Sequence, residues 1–248
     1  MKIKNFKGSF TIAQSLYNGE DMYVAINYES KNEKTGNVYQ LQFIPVNMFT
    51  DNGFDKTTDD AVCPDTCIFK LKEICYVILG LAPSSVVKSI KAGNYQEKIN
   101  YQMLAKKPLR IGAYGDCTSL PYEFIEKIVK ASKRGWLNYT HGWQNCDERF
   151  ANIAMASCET IADKQLANAK GYRTFRVRPV DGEILADEIL CPNEKNNFIT
   201  CEMCMKCNGT WGKSKKNIVV TIHGASHKVK KYNDIEQTQY NHFTLNQA

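Results

Sequence analysis

The chain has no run approaching the roughly 20 apolar residues that a membrane-spanning helix needs, and its opening stretch, MKIKNFKGSFTIAQS, lacks the apolar core of a secretory signal. Both absences lead us to expect a cytoplasmic protein with no membrane partner. A Walker phosphate loop is missing and no G-x-G-x-x-G is complete, which counts against a nucleotide hydrolase or an ordinary Rossmann dehydrogenase. Acidic residues are absent from residues 205–231, which carry Lys206, Lys213, Lys215, Lys216, Lys228, Lys230 and Lys231. These lysines alone exceed the net charge of +6, so the rest of the chain is close to neutral. A patch of this kind can hold nucleic acid, and it can equally be a solvated lysine face.

Cysteine, by contrast, is plentiful. A reducing compartment does not sustain structural disulfides, so ten cysteines in a cytoplasmic chain point to metal or redox use. Seven of them fall into two groups. The first, Cys63, Cys67 and Cys75 in CPDTCIFKLKEIC, has C-x3-C-x7-C spacing. Structural zinc takes four protein ligands, whereas a four-iron cluster on three cysteines leaves one iron free for a substrate or cofactor. Spacing alone also allows a zinc half-site or small core residues. The second group, Cys191, Cys201, Cys204 and Cys207 in CPNEKNNFITCEMCMKC, supplies four thiolates and suits either a structural zinc or a closed iron–sulfur cluster. A zinc there would draw the four sulfurs into a tetrahedron. Cys117, Cys146 and Cys158 are expected to stay outside it.

At 248 residues and 43% hydrophobic content, one α/β domain accounts for the length. Residues 1–40 read as a β-hairpin extension, with β-prone runs at 10–12, 22–28 and 38–46 and turn signals at Asn18-Gly19, Thr35-Gly36 and Asn52-Gly53. Residues 41–227 form the main domain, which includes the cysteine-rich motif 191–207, and 228–248 reads as a polar tail. Residues 84–104 are expected to form two helices or one kinked helix. Strands are expected near 41–46, 109–114, 136–140, 153–157, 172–177 and 218–222, alternating with helices that stop at Gly135 and Gly171. Strand, helix, glycine, strand is the pattern of parallel βαβ units, which wind either an open sheet or a barrel.

In parallel barrels the chemistry lies at the carboxyl ends of the strands. The residues there are Asp116, His141, Ser157, Glu159, Arg176 and His223. We take Asp116, His141, Glu159, Arg176 and His223 as candidate catalytic groups. Glu159 also suits the start of a helix, and Arg176 also suits an ion pair. The glycines of LRIGAYGD, Gly112 and Gly115, suggest close approach of backbone to a ligand.

The segments CPDTC with the later Cys75-Tyr76, RIGAYGD, NYTHGW, MASCE, CPNE with C-x2-C-x2-C, and TIHG, in that order, resemble a family of bacteriophage proteins known as the gene product 88 family, over roughly residues 35–225. No reaction comes with that resemblance. It does imply a cytoplasmic setting in an infected host cell. More distantly, the cysteines with RIGAYGDCTSLPYEFIEKIV, NYTHGW and IAMASCE resemble phage-encoded members of the radical S-adenosylmethionine superfamily. This second resemblance implies a partial (β/α)6 TIM-like barrel and a 4Fe-4S cluster on Cys63, Cys67 and Cys75. It places Gly112, Gly115 and Asp116 at the methionine end of S-adenosylmethionine, and Ser157 and Glu159 near its ribose. The third cysteine stands five residues later than in the usual C-x3-C-x2-C. Two functions follow as expectations: a radical S-adenosylmethionine-like iron–sulfur enzyme acting on an unspecified substrate, or a non-catalytic, metal-stapled phage protein that binds nucleic acid or a host partner through Lys206–Lys231.

Overall fold

The structure is a computed structural model that describes residues 5–50 and 53–234. It begins with β1 (Gly8–Gln14), β2 (Asp21–Asn27) and β3 (Tyr39–Pro45), each antiparallel to the one before. All seven residues of β3 are buried, as a strand with both faces covered must be. A two-residue ladder of β4 (Phe49–Thr50) and β5 (Gly53–Phe54) and a 3-10 turn over Lys56–Ala61 lead into the first cysteines. The cysteine loop contains only the single turn α1 (Ile68–Leu71).

The helical expectation for 84–104 is only partly met. Helix α2 (Ala82–Lys91) buries Val86, Val87 and Ile90 on one face, but the chain then turns at Gly93, with φ at +68°, into β6 (Tyr95–Glu97). The reason is a tertiary contact. β6 pairs in parallel with β1, the Lys7 amide donates to the Asn94 carbonyl at 2.9 Å, and the Tyr95 ring lies where any side chain at Gly8 would sit. Only α3 (Tyr101–Leu104) resumes the helix.

From here the chain alternates. β7 (Leu109–Tyr114) is followed by α4 (Tyr122–Ala131), and β8 (Trp136–Leu137) by β9 (Tyr139–Thr140). After two 3-10 turns come β10 (Met155–Cys158), α5 (Ile161–Ala169), β11 (Thr174–Arg178), β12 (Glu188–Leu190), α6 (Pro192–Lys195), α7 (Cys201–Cys204) and β13 (Asn217–Thr221). The sheet orders are β6-β1-β2-β3-β7-β8 and β12-β13-β11-β10-β9. β8 and β9 are halves of one stretch split at Asn138, whose amide leaves the ladder to donate to the Cys207 carbonyl at 2.9 Å. Apart from the antiparallel β4–β5 ladder, every pairing beyond β3 is parallel.

The strands expected from sequence are therefore present within a mixed α/β fold. β3, β7, β8 with β9, β10, β11 and β13 stand side by side in chain order, without the reversal that creates a switch point in doubly wound sheets. Among the described residues no barrel closes: β6 pairs only with β1 and β12 only with β13. The proposed boundary at residues 40 and 41 cuts through β3, because the hairpin extension continues the same sheet. At the other end, residues 226–234 are helical and bury Tyr232, so the expected polar tail is structured at its start. The expectations for residues 1–4 and 235–248 fall outside the described residues.

Two cores result from strand alternation. Along β10, Ala156 and Cys158 join the larger core with Ile125, Ile128 and Ala167 of the flanking helices, whereas Met155 joins the smaller one. The smaller core also holds Leu137, Val177, Ile218 and Val220 from the neighbouring strands, together with Cys67, Phe69, Ile74, Cys191, Cys207 and Tyr232. Cys67, Cys75, Cys191, Cys201 and Cys207 thus pack on the face of the parallel strands opposite the helices, whereas Cys63 packs against the larger core.

Gly115 has φ at +77°, and a Cβ there would stand 2.8 Å from the Phe43 Cβ and 2.9 Å from its carbonyl oxygen. Gly115→Ala should lower the unfolding free energy by about 2–4 kcal/mol, from left-handed strain plus overpacking. Urea denaturation measures this, and a loss under about 1 kcal/mol would mean that β3 yields easily.

Candidate metal centre

The first cysteine loop is fastened to the ends of β7 and β9 by Asp116. The Asp116 amide donates to the Val62 carbonyl at 2.7 Å, just ahead of Cys63. Its buried carboxylate accepts from the Thr118 amide (3.0 Å), the Thr118 hydroxyl (2.8 Å) and the Thr140 hydroxyl (2.8 Å) on Oδ1, and from the His141 amide (2.7 Å) on Oδ2. The Thr66 hydroxyl, next to Cys67, donates in turn to the His141 carbonyl at 2.7 Å. His141 is therefore gripped at both ends of its peptide.

Its imidazole stands between two partners. Nε2 is 3.2 Å from Glu159 Oε1, and the Cys67 sulfur acts on the ring electrostatically. Burial disfavours the imidazolium, but the Cys67 sulfur and the Glu159 carboxylate outweigh it and raise the His141 pKa well above the ordinary value. Cys63, Cys67 and Cys75 are close enough to influence one another. Burial pushes the Cys63 thiol well up, with Asp59, Cys67 and Cys75 adding to the rise, and burial likewise raises Cys75. Phe69 packs edge-on against the His141 ring at 5.7 Å and stacks on Tyr232 at 5.9 Å. The Tyr232 hydroxyl donates to the Val177 carbonyl at 2.9 Å, and Lys228 Nζ donates to the Cys75 carbonyl.

Cys191, Cys201, Cys204 and Cys207 line one cleft of about 50 Å³ with Lys34, Leu137, Tyr139, Phe175 and Val220. The cleft is assembled from distant pieces. The Cys201 amide donates to the Lys34 carbonyl at 3.1 Å, the Glu202 amide to the Thr35 carbonyl at 3.0 Å, and the Cys191 amide to the Val219 carbonyl at 2.8 Å. Burial pushes the Cys207 thiol up to about 12, against a hydrogen bond from Tyr139 that lowers it. An open groove of about 820 Å³ lies alongside, between Leu190 and Ile199.

The other candidates divide. Arg176 does not face the cysteines: it lies between Phe175 and Val177 of the smaller core, points the opposite way, and forms a buried bidentate pair with Glu188 at 2.7 Å. His223 is exposed at the end of β13, its Nε2 2.8 Å from Lys34 Nζ and its Nδ1 2.9 Å from the Thr221 carbonyl. It therefore belongs beside the four-cysteine cleft rather than with His141. Ser157 is buried, and its carbonyl accepts from the Trp143 indole at 3.0 Å. Gly112, with φ at +69°, and Gly115 are both required by the turn and by Phe43 and Val62, so chain packing already accounts for them. Helix α5 is capped by Thr160, not by Glu159, which leaves Glu159 for His141. Cys117 and Cys158 sit in the larger core and Cys146 bonds to the Tyr172 hydroxyl at 3.2 Å, all away from the cleft. Sequence reading missed Thr66 and Thr118, which together with the strand-end Thr140 carry the hydrogen bonds that set His141. Their only signal was position beside Cys67, Asp116 and His141.

Among the described residues no three His, Cys, Asp or Glu side chains stand where they could hold a single metal ion. Neither of the two cavities above touches Cys63, Cys67 or Cys75. No helix among the described residues is long and apolar enough to cross a membrane. No family model, curated protein or solved structure matches the chain.

The placement of Arg176 gives a test of its role. Glu188→Ala strands a buried guanidinium and should destabilise the fold by about 3–5 kcal/mol, whereas the joint change Arg176→Met with Glu188→Leu should recover most of that loss. Thermal or urea unfolding of the two variants checks it; equal losses in the single and joint changes would contradict a structural ion pair.

Proposed function

We propose that this chain is an iron–sulfur protein of the bacteriophage family it resembles, acting in the cytoplasm of an infected cell. In this reading the strands from β3 to β13 act as a partial (β/α)6 barrel, with Cys63, Cys67 and Cys75 holding a 4Fe-4S cluster at its carboxyl edge. One positional observation supports it most. The three cysteines lie in the connection leaving β3, the first of the sequentially ordered parallel strands, and that connection is bonded to the ends of the next two strands through Asp116 and His141.

The donor set suits a cluster. The three thiols are free of disulfides and lie against apolar side chains, Cys67 and Cys75 on the smaller core and Cys63 on the larger. A cube of iron and sulfide is wider than a single ion, so sulfurs too spread for one ion still suit it. The same reasoning favours a second iron–sulfur cluster over zinc on Cys191, Cys201, Cys204 and Cys207. A reduced cluster supplies electrons, which in the radical superfamily go to S-adenosylmethionine. For that cofactor the residues offer no ready place: Gly115 abuts Phe43, Phe69 and Tyr232 pack beside His141, and neither cavity reaches the centre. The proposal therefore covers the clusters and the barrel-like architecture, and no step is routed through S-adenosylmethionine. Phe69 and Tyr232 keep water from the first centre, and His141 with Glu159 can hold a proton beside it.

A second reading, a non-catalytic metal-stapled protein binding nucleic acid or a host partner, draws on the filled centre and on the exposed Lys213, Lys215 and Lys216. The lysines do not form one patch, since Lys228 turns inward to Cys75 and Lys230 pairs with Asp234 at 2.9 Å.

Purification without oxygen separates the two. The expected product is brown and carries iron with acid-labile sulfide. Cys67→Ala should remove one centre and leave the other on Cys191, Cys201, Cys204 and Cys207. A colourless protein loaded only with zinc would sink the iron–sulfur reading. Under reductant, release of 5′-deoxyadenosine and methionine from S-adenosylmethionine would extend it to the radical reaction.

A further inference from the structure

The parallel strands start at the edge of the sheet opposite to the one that carries Asp116 and His141. Three connections that reach this edge are basic and contain no acidic residue: AKKP before β7 brings Lys106 and Lys107, SKRG before β8 brings Lys133 and Arg134, and residues 206–216 before β13 bring Lys206, Lys213, Lys215 and Lys216. The first two are joined where the Leu109 amide donates to the Gly135 carbonyl at 3.1 Å. The third crosses beneath β8 and β10. A Cβ on Gly135 would stand 2.8 Å from Met205 Cε, the Asn138 amide donates to the Cys207 carbonyl at 2.9 Å, and the Thr210 and Trp211 amides donate to the Ala151 and Asn152 carbonyls, each at 2.9 Å. Gly209 permits this approach, since a Cβ there would meet the Asn152 backbone at 2.3 Å. The return to β13 is held too: Lys215 Nζ donates to the Thr210 carbonyl at 3.0 Å and Arg173 Nη2 to the Lys216 carbonyl at 2.6 Å.

A loop fastened in this way presents Trp211 to solvent. It is 46% exposed, the most exposed of the three tryptophans, and Lys130 of α4 stands 5.9 Å from its ring centre. Lys106, Lys133, Arg134, Lys213, Lys215 and Lys216 are all exposed, and none forms an ion pair among the described residues. The carboxylates of α4 do not neutralise them, because Glu123 is engaged by Arg149 at 2.7 Å and Glu126 by Lys130 at 2.8 Å. A solvated lysine face has no use for an indole held among its charges by a clamped backbone. A single strand of nucleic acid uses both, because unpaired cations track its phosphates and an exposed ring stacks on a base that no complement has covered. At the usual strand spacing the edge from β7 to β13 extends over roughly 19 Å, room for several nucleotides.

We propose that this strand-start edge binds single-stranded nucleic acid, with Trp211 stacking on a base and Lys133, Arg134, Lys215 and Lys216 at the phosphates. The inference carries the second reading of function to a defined surface. It needs metal at neither cysteine group, so its failure leaves the iron–sulfur reading standing.

The test titrates the full chain with a fluorescein-labelled oligothymidylate of about 12 nucleotides, alone and annealed to its complement, with phosphatidylserine vesicles as a competing anionic surface. Anisotropy reports binding, and tryptophan emission with unlabelled strand reports stacking. The single strand should bind and quench Trp211, and log affinity should fall against log salt with a slope of about −0.7 per phosphate met. Trp211→Ala should weaken binding about 5- to 150-fold, and Trp211→Phe should recover most of it without the quench. The joint change Lys215→Gln with Lys216→Gln should weaken binding and flatten the salt slope by about 1.4, whereas Lys230→Gln, at a lysine already paired with Asp234, should change neither. Should Trp211→Ala not fold, Trp211→Phe and the lysine pair decide. No binding of the single strand, duplex bound equally well with no quench, or vesicles preferred to the oligonucleotide each overturns the proposal.

Discussion

The Asp116 carboxylate is the joint on which the site depends. It lies just past the end of β7, and four hydrogen bonds converge on it from Thr118, Thr140 and His141. A buried carboxylate is costly unless its lone pairs are met, and here they are met by groups from the next strand. Its own amide holds Val62, so one residue fixes where the cysteine loop begins and where His141 stands. Further out, the Tyr17 hydroxyl reaches Thr118 at 2.6 Å, which ties the β1–β2 loop into the same network. The N-terminal hairpin is therefore part of the support for the strand ends.

The two cysteine groups are far apart in sequence and adjacent in packing. Cys67, Cys191 and Cys207 share one small core with strand residues and Tyr232. That core is poor in large aliphatic side chains compared with the other, where Ile26, Leu41, Ile44, Leu109 and Ile111 are all fully buried. A core closed by thiols and by a single helical segment after β13 derives less from apolar burial than its neighbour does, so metal binding there would be folding free energy as well as chemistry. The contacts of Lys34 and Thr35 with Cys201 and Glu202 carry that linkage back to the turn before β3.

The strands were legible because their pattern is local: short β-branched runs alternating with helices that stop at the glycines 135 and 171 state the βαβ order without help from the rest of the chain. The grouping of Asp116, His141 and Glu159 was legible for the same reason, since strand ends follow from strands. Arg176 was misplaced because its face depends on register. Phe175 and Val177 point to the small core, so Arg176 must point away, to a Glu188 that no spacing would have paired with it. Tyr95 failed differently. Helical periodicity was present, but the edge of β1 offered hydrogen bonds that outweighed it. Tyr232 was hidden because a lone aromatic in a polar segment carries no periodic signal.

Charge compensation also follows from this arrangement. Burial raises the Cys201 and Cys75 thiols, and thiolates are what a metal requires. Against that stand cations placed on the same face. Arg110 and Lys34 act on Cys201, and His141 acts on Cys75, each lowering the cost of the thiolate. Arg110 forms no ion pair among the described residues, and its Nη2 donates to the Tyr76 hydroxyl at 2.8 Å, directly after Cys75. A guanidinium kept off carboxylates costs stability unless negative charge arrives. Its position, hydrogen-bonded beside one cysteine group and electrostatically coupled to the other, would offset the charge of thiolates under the proposed metal binding.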